Sequence, residues 1–252
     1  MSEHIDVSIA DGVLTLRMNR PEKKNALTDE MYHALADAME AAYEDDAVGA
    51  IMLCGGGDDF STGNDVGDFL KVATGQVDRS NPGVWRFLAA QIDTPKPFVC
   101  AVKGLAVGVG ATTLFQADLV YAADNASIRT PFLDLGVVPE NASSYLAPRI
   151  MGYQRAFELL CLGEPFTAQR GYEAGFVNRV CTVDEVEAVA LDAAKRLAAK
   201  PPQALRMSRD LMRGDLGPRR AASAEESRLF GERLKSDEAR AAFMAFMNRK
   251  RG

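Results

Sequence analysis

Two stretches of this 252-residue chain put glycines where main-chain N–H groups can face a ligand. GGGDDFSTGNDVGDF, residues 55–69, follows an apolar run ending at Leu53, and KGLAVGVGATTL, residues 103–114, sets Gly108 and Gly110 ahead of an expected helix. A buried strand that runs into glycines leaves backbone donors unpaired. Donors at a helix start also carry the positive end of its dipole, which suits an anion. Side-chain chemistry has less to draw on. His4 and His33 are too few for histidine relays or a histidine metal cluster, and both read as structural or solvated. Cys54, Cys100, Cys161 and Cys181 are widely spaced, form no CxxC pair and lie mostly in apolar surroundings, so they read as reduced thiols. Gly108–Thr113 reads G-x-G-x-x-T and lacks the third glycine of a dinucleotide fingerprint; no G-K-[ST] phosphate loop is present.

The elements that must hold these turns are legible from pattern. Ile5–Ile9 and Val13–Met18 alternate around Asp11-Gly12, which predicts a β-hairpin. Thr28 is the expected cap of a helix whose stripe is Met31, Leu35, Met39 and Ala42. Buried strands are expected at Ala50–Leu53, Phe98–Val102 and Leu119–Ala122, and a helix at Val183–Ala199 before Pro201-Pro202. Leu229, Leu234, Phe243, Phe246 and Met247 make the helical tail too apolar to stand in solvent; it should pack on the body or on another subunit. The class is α/β, one large domain with an appendage. A formal charge of −6 argues against nucleic acid as a general partner. No apolar run is long enough to span a bilayer, and the opening MSEHIDVSIADG has no signal-like pattern, so a protein neither secreted nor membrane-embedded is expected.

Four ordered segments carry a resemblance that runs nearly end to end. NRPEKKNALT (19–28), FSTGND (60–65), PKPFVCAVKGLAVGVGATTLFQADLVYA (95–122) and GEPFTAQRGYEAGFVNRV (163–180) resemble the enoyl-CoA hydratase/isomerase, or crotonase, superfamily. The resemblance implies a spiral of repeated ββα units over residues 1–195 and a helical trimerisation region over 196–252. It also implies acyl-CoA substrates, a homotrimer or hexamer, and no cofactor beyond the coenzyme A of the substrate; the scarce histidines point to no metal, and the reduced cysteines with an NRKRG ending that is no peroxisomal address point to a cytoplasmic setting. By motif position, the N–H groups of Asn64 and Val109 would hold the thioester oxygen, with Thr62, Gly63, Asp65 and Gly108 beside it. Lys24 and Ala26 would lie along the CoA moiety, though Lys24 reads equally well as an ordinary surface lysine. Phe69, Trp85, Phe87 and Phe132 are candidates for the acyl pocket, with a core role as the competing reading for each.

The acid or base decides the reaction. Hydratases of the superfamily use two glutamates, and the corresponding positions here are Thr112 and Phe132, neither able to act as a base. Residues 130–152 instead resemble Δ3,Δ2-enoyl-CoA isomerases of the peroxisomal type, whose base falls on Glu140 in Pro139-Glu140-Asn141. Asn141 stands where those enzymes have glycine, a departure that could alter the loop. Glu140 could otherwise serve as a helix-start carboxylate. Asp134 is the reserve base, and Asp65 and Asp68 read as caps of the following helix. The expected activity is transfer of a double bond from the 3- to the 2-position. Another CoA-thioester reaction, such as hydration, hydrolysis or decarboxylation, and a non-catalytic acyl-CoA binding module are the alternatives.

Overall fold

In a computed structural model describing residues 2–65, 67 and 82–249, β1 (Ile5–Ala10) pairs antiparallel with β2 (Val13–Met18). Asp11 and Gly12 close this hairpin at φ 52° and 75°, the left-handed conformations the dipeptide was expected to adopt. β3 (Ala50–Gly55), β4 (Phe98–Val102), β6 (Leu119–Ala123) and β9 (Arg179–Cys181) extend the sheet in parallel, in the order β1-β2-β3-β4-β6-β9. A second sheet joins β5 (Leu105–Val107), β7 (Ser127–Arg129) and β8 (Phe166–Thr167) in the order β5-β7-β8.

The chain climbs between these sheets. β4 leads into β5 and β6 into β7, while β3 leads to Ser61, which bridges Ala106 of β5. Successive strands of the large sheet therefore deliver successive turns to the small one, the ββα spiral that the resemblance implies.

Residue alternation assigns the two faces of the large sheet. Leu14, Leu16, Ile51, Leu53, Phe98 and Cys100 join the main core with Met31, Leu35 and Met39 of the helix Asp29–Ala41. Thr28 caps that helix as expected, its hydroxyl accepting from Met31 N at 3.3 Å. Val13, Ala50, Met52, Val99 and Ala101 face the other way, onto Ala190 and Ala194 of the helix Val186–Ala198. That helix starts three residues later than its composition predicts, because Thr182–Glu185 form a turn first. It continues past residue 195 to Ala198, and the next helix begins at Pro202.

The C-terminal helices Pro202–Arg213, Gly217–Leu234 and Asp237–Arg249 return to the body. Arg209 is buried and anchors the first of them: its guanidinium donates to Asp118 at 2.8 Å and to Thr94 O at 2.6 Å. Phe230 stacks edge-on against Trp85 at 6.0 Å, and Phe243 is buried in the main core. Leu234 is half-buried against the same core, while the side chains of Phe246 and Met247 lie outside the described residues. Met207, Leu211 and Met212 are exposed. Among the described residues, no helix is long and apolar enough to cross a membrane.

Candidate active site

The two glycine turns are held against each other by a short ladder. Phe60 N donates to Lys103 O, Ser61 N to Leu105 O, and Val107 N to Ser61 O, at 2.8 to 2.9 Å. Gly63, at φ 80°, sits so close to the second turn that a Cβ would lie 2.7 Å from Val107 O. Glycine is required there by conformation and by space. At Gly108, φ 58°, a Cβ would meet nothing within 4 Å, so only the backbone conformation calls for glycine.

Among the described residues, this arrangement leaves the N–H groups of Asn64 and Val109 without an acceptor. Leu27 N donates to Gly63 O and Asp65 N to Leu27 O, so the alternation of the bridge turns Asn64 N–H to the opposite side. Val109 opens the four-residue helix Val109–Thr112, where the first N–H groups have no intrahelical acceptor. Neither Asn64 N nor Val109 N donates to a described protein group. The Asn64 side chain is tied elsewhere, accepting from the Tyr32 hydroxyl at 2.6 Å.

The loop before Thr28 is nailed to the first turn by Asn25, fully buried at φ 53°. Its amide donates to Gly56 O and Asp59 O at 2.9 and 2.7 Å, and its carbonyl accepts from the Ser61 hydroxyl at 2.8 Å. Lys24 is exposed, left-handed at φ 51°, with its carbonyl receiving Thr62 N at 3.0 Å; Ala26 O accepts from Arg20 at 3.0 Å. Lys24, Ala26, Thr62 and Asn64 are thus brought to one edge of the spiral. Asp65 pairs with Arg20 at 2.8 Å and accepts from Gly67 N at 2.9 Å, while the segment it was expected to cap lies largely outside the described residues. Asp68 and Phe69 lie outside the described residues.

Glu140 is 1% exposed, and neither carboxyl oxygen has a hydrogen-bond partner among the described residues. Burial, and secondly the charge of Glu226, push its pKa up to about 8. The helix that follows, Ser143–Met151, begins three residues on and receives no side-chain cap from Glu140. The alternative role of helix-start carboxylate therefore falls away. That role belongs to Glu226, which reaches in from the helix Gly217–Leu234 and accepts from Ser144 N at 2.9 Å and Ser144 Oγ at 2.5 Å.

Asn141 has φ 62°, so the position still needs the left-handed conformation that glycine favours, and asparagine supplies it. The side chain does more than glycine could. Asn141 Nδ2 donates to Gln91 Oε1 at 3.0 Å, while Gln116 Nε2 donates to Asn141 O at 2.7 Å. The Glu140 turn is thereby clamped between two elements of the body.

The remaining candidates separate cleanly. Thr112 is fully buried, its hydroxyl directed to Val109 O at 3.4 Å, and Phe132 is buried in the main core. Phe87 is likewise core, with Tyr32 at 5.9 Å, and Trp85 leans on Phe230. Asp134 is exposed and paired with Arg129 at 2.8 Å, a surface carboxylate rather than a site acid. Sequence reading gave no sign of Glu226, Gln91, Gln116 or Tyr32.

A family model described as Enoyl-CoA hydratase/isomerase matches residues 8–252. The chain belongs to this family. Its similarity to human "Enoyl-CoA delta isomerase 2" is 38% identity over 98% of the chain, which spans 64% of the length of that relative. To mouse "Enoyl-CoA delta isomerase 3, peroxisomal" the identity is 34%, over 99% of the chain and 80% of the relative. A crystal structure of an enoyl-CoA hydratase/isomerase from Pseudoalteromonas atlantica superposes with a TM-score of 0.93 at 38% identity, covering 98% of both chains. The enoyl-CoA hydratase/isomerase architecture thus frames the paired turns and the Glu140 loop alike.

Proposed function

We propose that this chain is an enoyl-CoA isomerase that moves a 3-enoyl-CoA double bond to the 2-position. The observation that carries the reading is Glu140: a buried carboxyl with no hydrogen-bond partner among the described residues, on a clamped turn. An acid held this way takes up a proton more readily than an ordinary carboxylate, which narrows the gap to a carbon acid.

In the proposed reaction, ionised Glu140 removes a proton from C2 and the electron pair spreads into a dienolate. The thioester oxygen, now negative, accepts from Asn64 N–H and Val109 N–H, donors without an acceptor among the described residues. Each preorganised donor contributes roughly 2.7 to 4 kcal/mol to such a transition state. The Glu140 carboxyl then returns its proton to C4, leaving the C2–C3 double bond with no atom gained or lost. The cycle needs no cofactor beyond the substrate's own coenzyme A, along whose length Lys24 and Ala26 are placed in this reading. A hydratase would need a second acid, and the positions where one would stand are buried Thr112 and Phe132. A mere binding module gives no reason for the cost of burying Glu140 unpaired.

The wider reading is a cytoplasmic enzyme of fatty acid metabolism, assembled as a homotrimer or hexamer through the region from residue 196 onward. Four free cysteines support a reducing compartment, and the exposed Met207, Leu211 and Met212 support assembly. The test is turnover of trans-3-hexenoyl-CoA by the full chain and by Glu140→Gln. Isomerisation by the native protein with at least ~100-fold loss in the variant is expected. Water addition to trans-2-enoyl-CoA without bond migration, or an undiminished variant, would overturn the proposal.

A further inference from the structure

Six buried side-chain atoms on or around the Glu140 turn have no partner among the described residues: both oxygens of Glu140, Ser143 Oγ, Gln91 Nε2, Gln116 Oε1 and Glu226 Oε2. Buried polar atoms are seldom left unpaired, and a concentration of them marks a place where polarity serves something other than stability. One of these groups, Glu226, belongs to no step described above. It comes from the C-terminal helices, more than eighty residues away in sequence, and is 6% exposed.

The two buried acids differ in their surroundings. Burial pushes the Glu226 pKa up, but Ser144 Oγ, Ser144 N and Ala142 N oppose that shift by favouring its ionised form. Glu140 has no donor among the described residues. Of the two, Glu226 is the better held as a carboxylate, since hydrogen-bond donors stabilise that form and bare burial does not. Charged neighbours on the packed elements are engaged elsewhere: Arg86 with Asp37 and Glu40, Asp93 with Arg220, and Arg149 over the Tyr145 ring. On the helix of Glu226 itself, Glu225 and Glu232 pair with Arg228, and Arg233 with Glu238.

We infer that Glu226 is a positioning residue for proton transfer: through Ser144 it pins the turn that carries Glu140, and it sets a second acid beside the base. The inference rests on Glu140 being the base. Glu226 touches neither substrate nor reacting atoms in this scheme; it acts on Glu140 alone. Its negative charge raises the pH at which Glu140 ionises, and the carboxylate so formed is the stronger base toward C2.

The experiment is the pH dependence of kcat/KM for trans-3-hexenoyl-CoA with the full-length native protein, Glu226→Gln, Ser144→Ala and Glu140→Gln. Glu226→Gln retains an acceptor for Ser144 and removes only the charge. Its acid limb should move to lower pH by ~1 unit, with kcat reduced and KM unchanged. Ser144→Ala, at an exposed position, weakens the hold on the Glu226 charge and should shift the limb the same way by less, which serves should Glu226→Gln not fold. A purely structural glutamate would change stability or kcat and leave the limb in place; an unmoved limb in the folded variants overturns the inference. Undiminished turnover by Glu140→Gln would instead overturn the assignment of the base, which separates the two failures.

Discussion

The Tyr32 hydroxyl donates to Asn64 Oδ1 at 2.6 Å, which ties the side chain of Asn64 to the helix Asp29–Ala41 while its N–H is turned the other way. A residue whose main chain is proposed to meet the substrate is thus oriented by its side chain. Tyr32→Phe removes one buried hydrogen bond, worth about 1 kcal/mol, and leaves the ring contact with Phe87. We expect a folded protein with kcat for 3-enoyl-CoA reduced about fivefold, measured by steady-state kinetics, and a KM little altered.

The two glycines of the paired turns should fail in different ways. Gly63→Ala drives a Cβ to 2.7 Å from Val107 O and should separate the turns, lowering both stability and activity. Gly108→Ala meets no atom within 4 Å but forces alanine to φ 58°, at a cost of ~1 to 3 kcal/mol. Thermal denaturation should show the greater loss for Gly63→Ala, whereas the Gly108→Ala protein should remain folded and lose turnover.

Burial of Glu140 has a sign that stability measurements can read. Its folded-state pKa of about 8 lies above that of an unfolded glutamate, so between those values the native state binds more protons than the unfolded state. Stability should therefore fall as pH rises through that window and level off above about 8. Glu140→Gln should flatten this dependence in denaturant titrations across pH, and the native protein should be the more sensitive to alkali, by a few kcal/mol.

Asn141 combines conformation and bonding, which two substitutions separate. Asn141→Gly retains φ 62° without strain and loses the bond to Gln91, for about 1 kcal/mol. Asn141→Ala loses the same bond and adds ~1 to 2 kcal/mol for the left-handed backbone. Chemical denaturation should rank native above Asn141→Gly, and Asn141→Gly above Asn141→Ala.

Arg209 joins the first C-terminal helix to Asp118 and Thr94 from a buried position. Arg209→Ala removes the donors to Asp118 and Thr94 O, though Asp118 is exposed and keeps its bond from Phe98 N, and should destabilise the protein by ~1 to 3 kcal/mol. Proteolysis should then cut first near Pro201, where the core helix has ended and the anchored helices begin.

What was legible in the sequence is what short-range chemistry specifies. Asp11-Gly12 and the alternation around it gave the hairpin, Thr28 gave the helix start, and the apolar runs of β3, β4 and β6 gave the inner strands. The glycine turns and Glu140 were visible through motifs. Glu226 was not, because it stands among Glu225, Arg228 and Glu232, whose spacing is that of an ordinary solvated helix face. Only the docking of that helix on the Ser144 turn distinguishes it from its neighbours. Gln91 and Gln116 were hidden for the same reason: each is polar on an otherwise apolar segment, and its purpose appears only with Asn141 between them.

The helix that carries Glu226 also has a bearing on how the protein is made. Hairpin, turns and Glu140 all emerge from the ribosome before residues 217–234 do, and the spiral can begin to close on contacts already synthesised. The Ser144 turn, however, waits for Glu226, and Trp85 waits for its packing partner Phe230. In a nascent chain, the surroundings of Glu140 are therefore set only once residues 217–234 have been made.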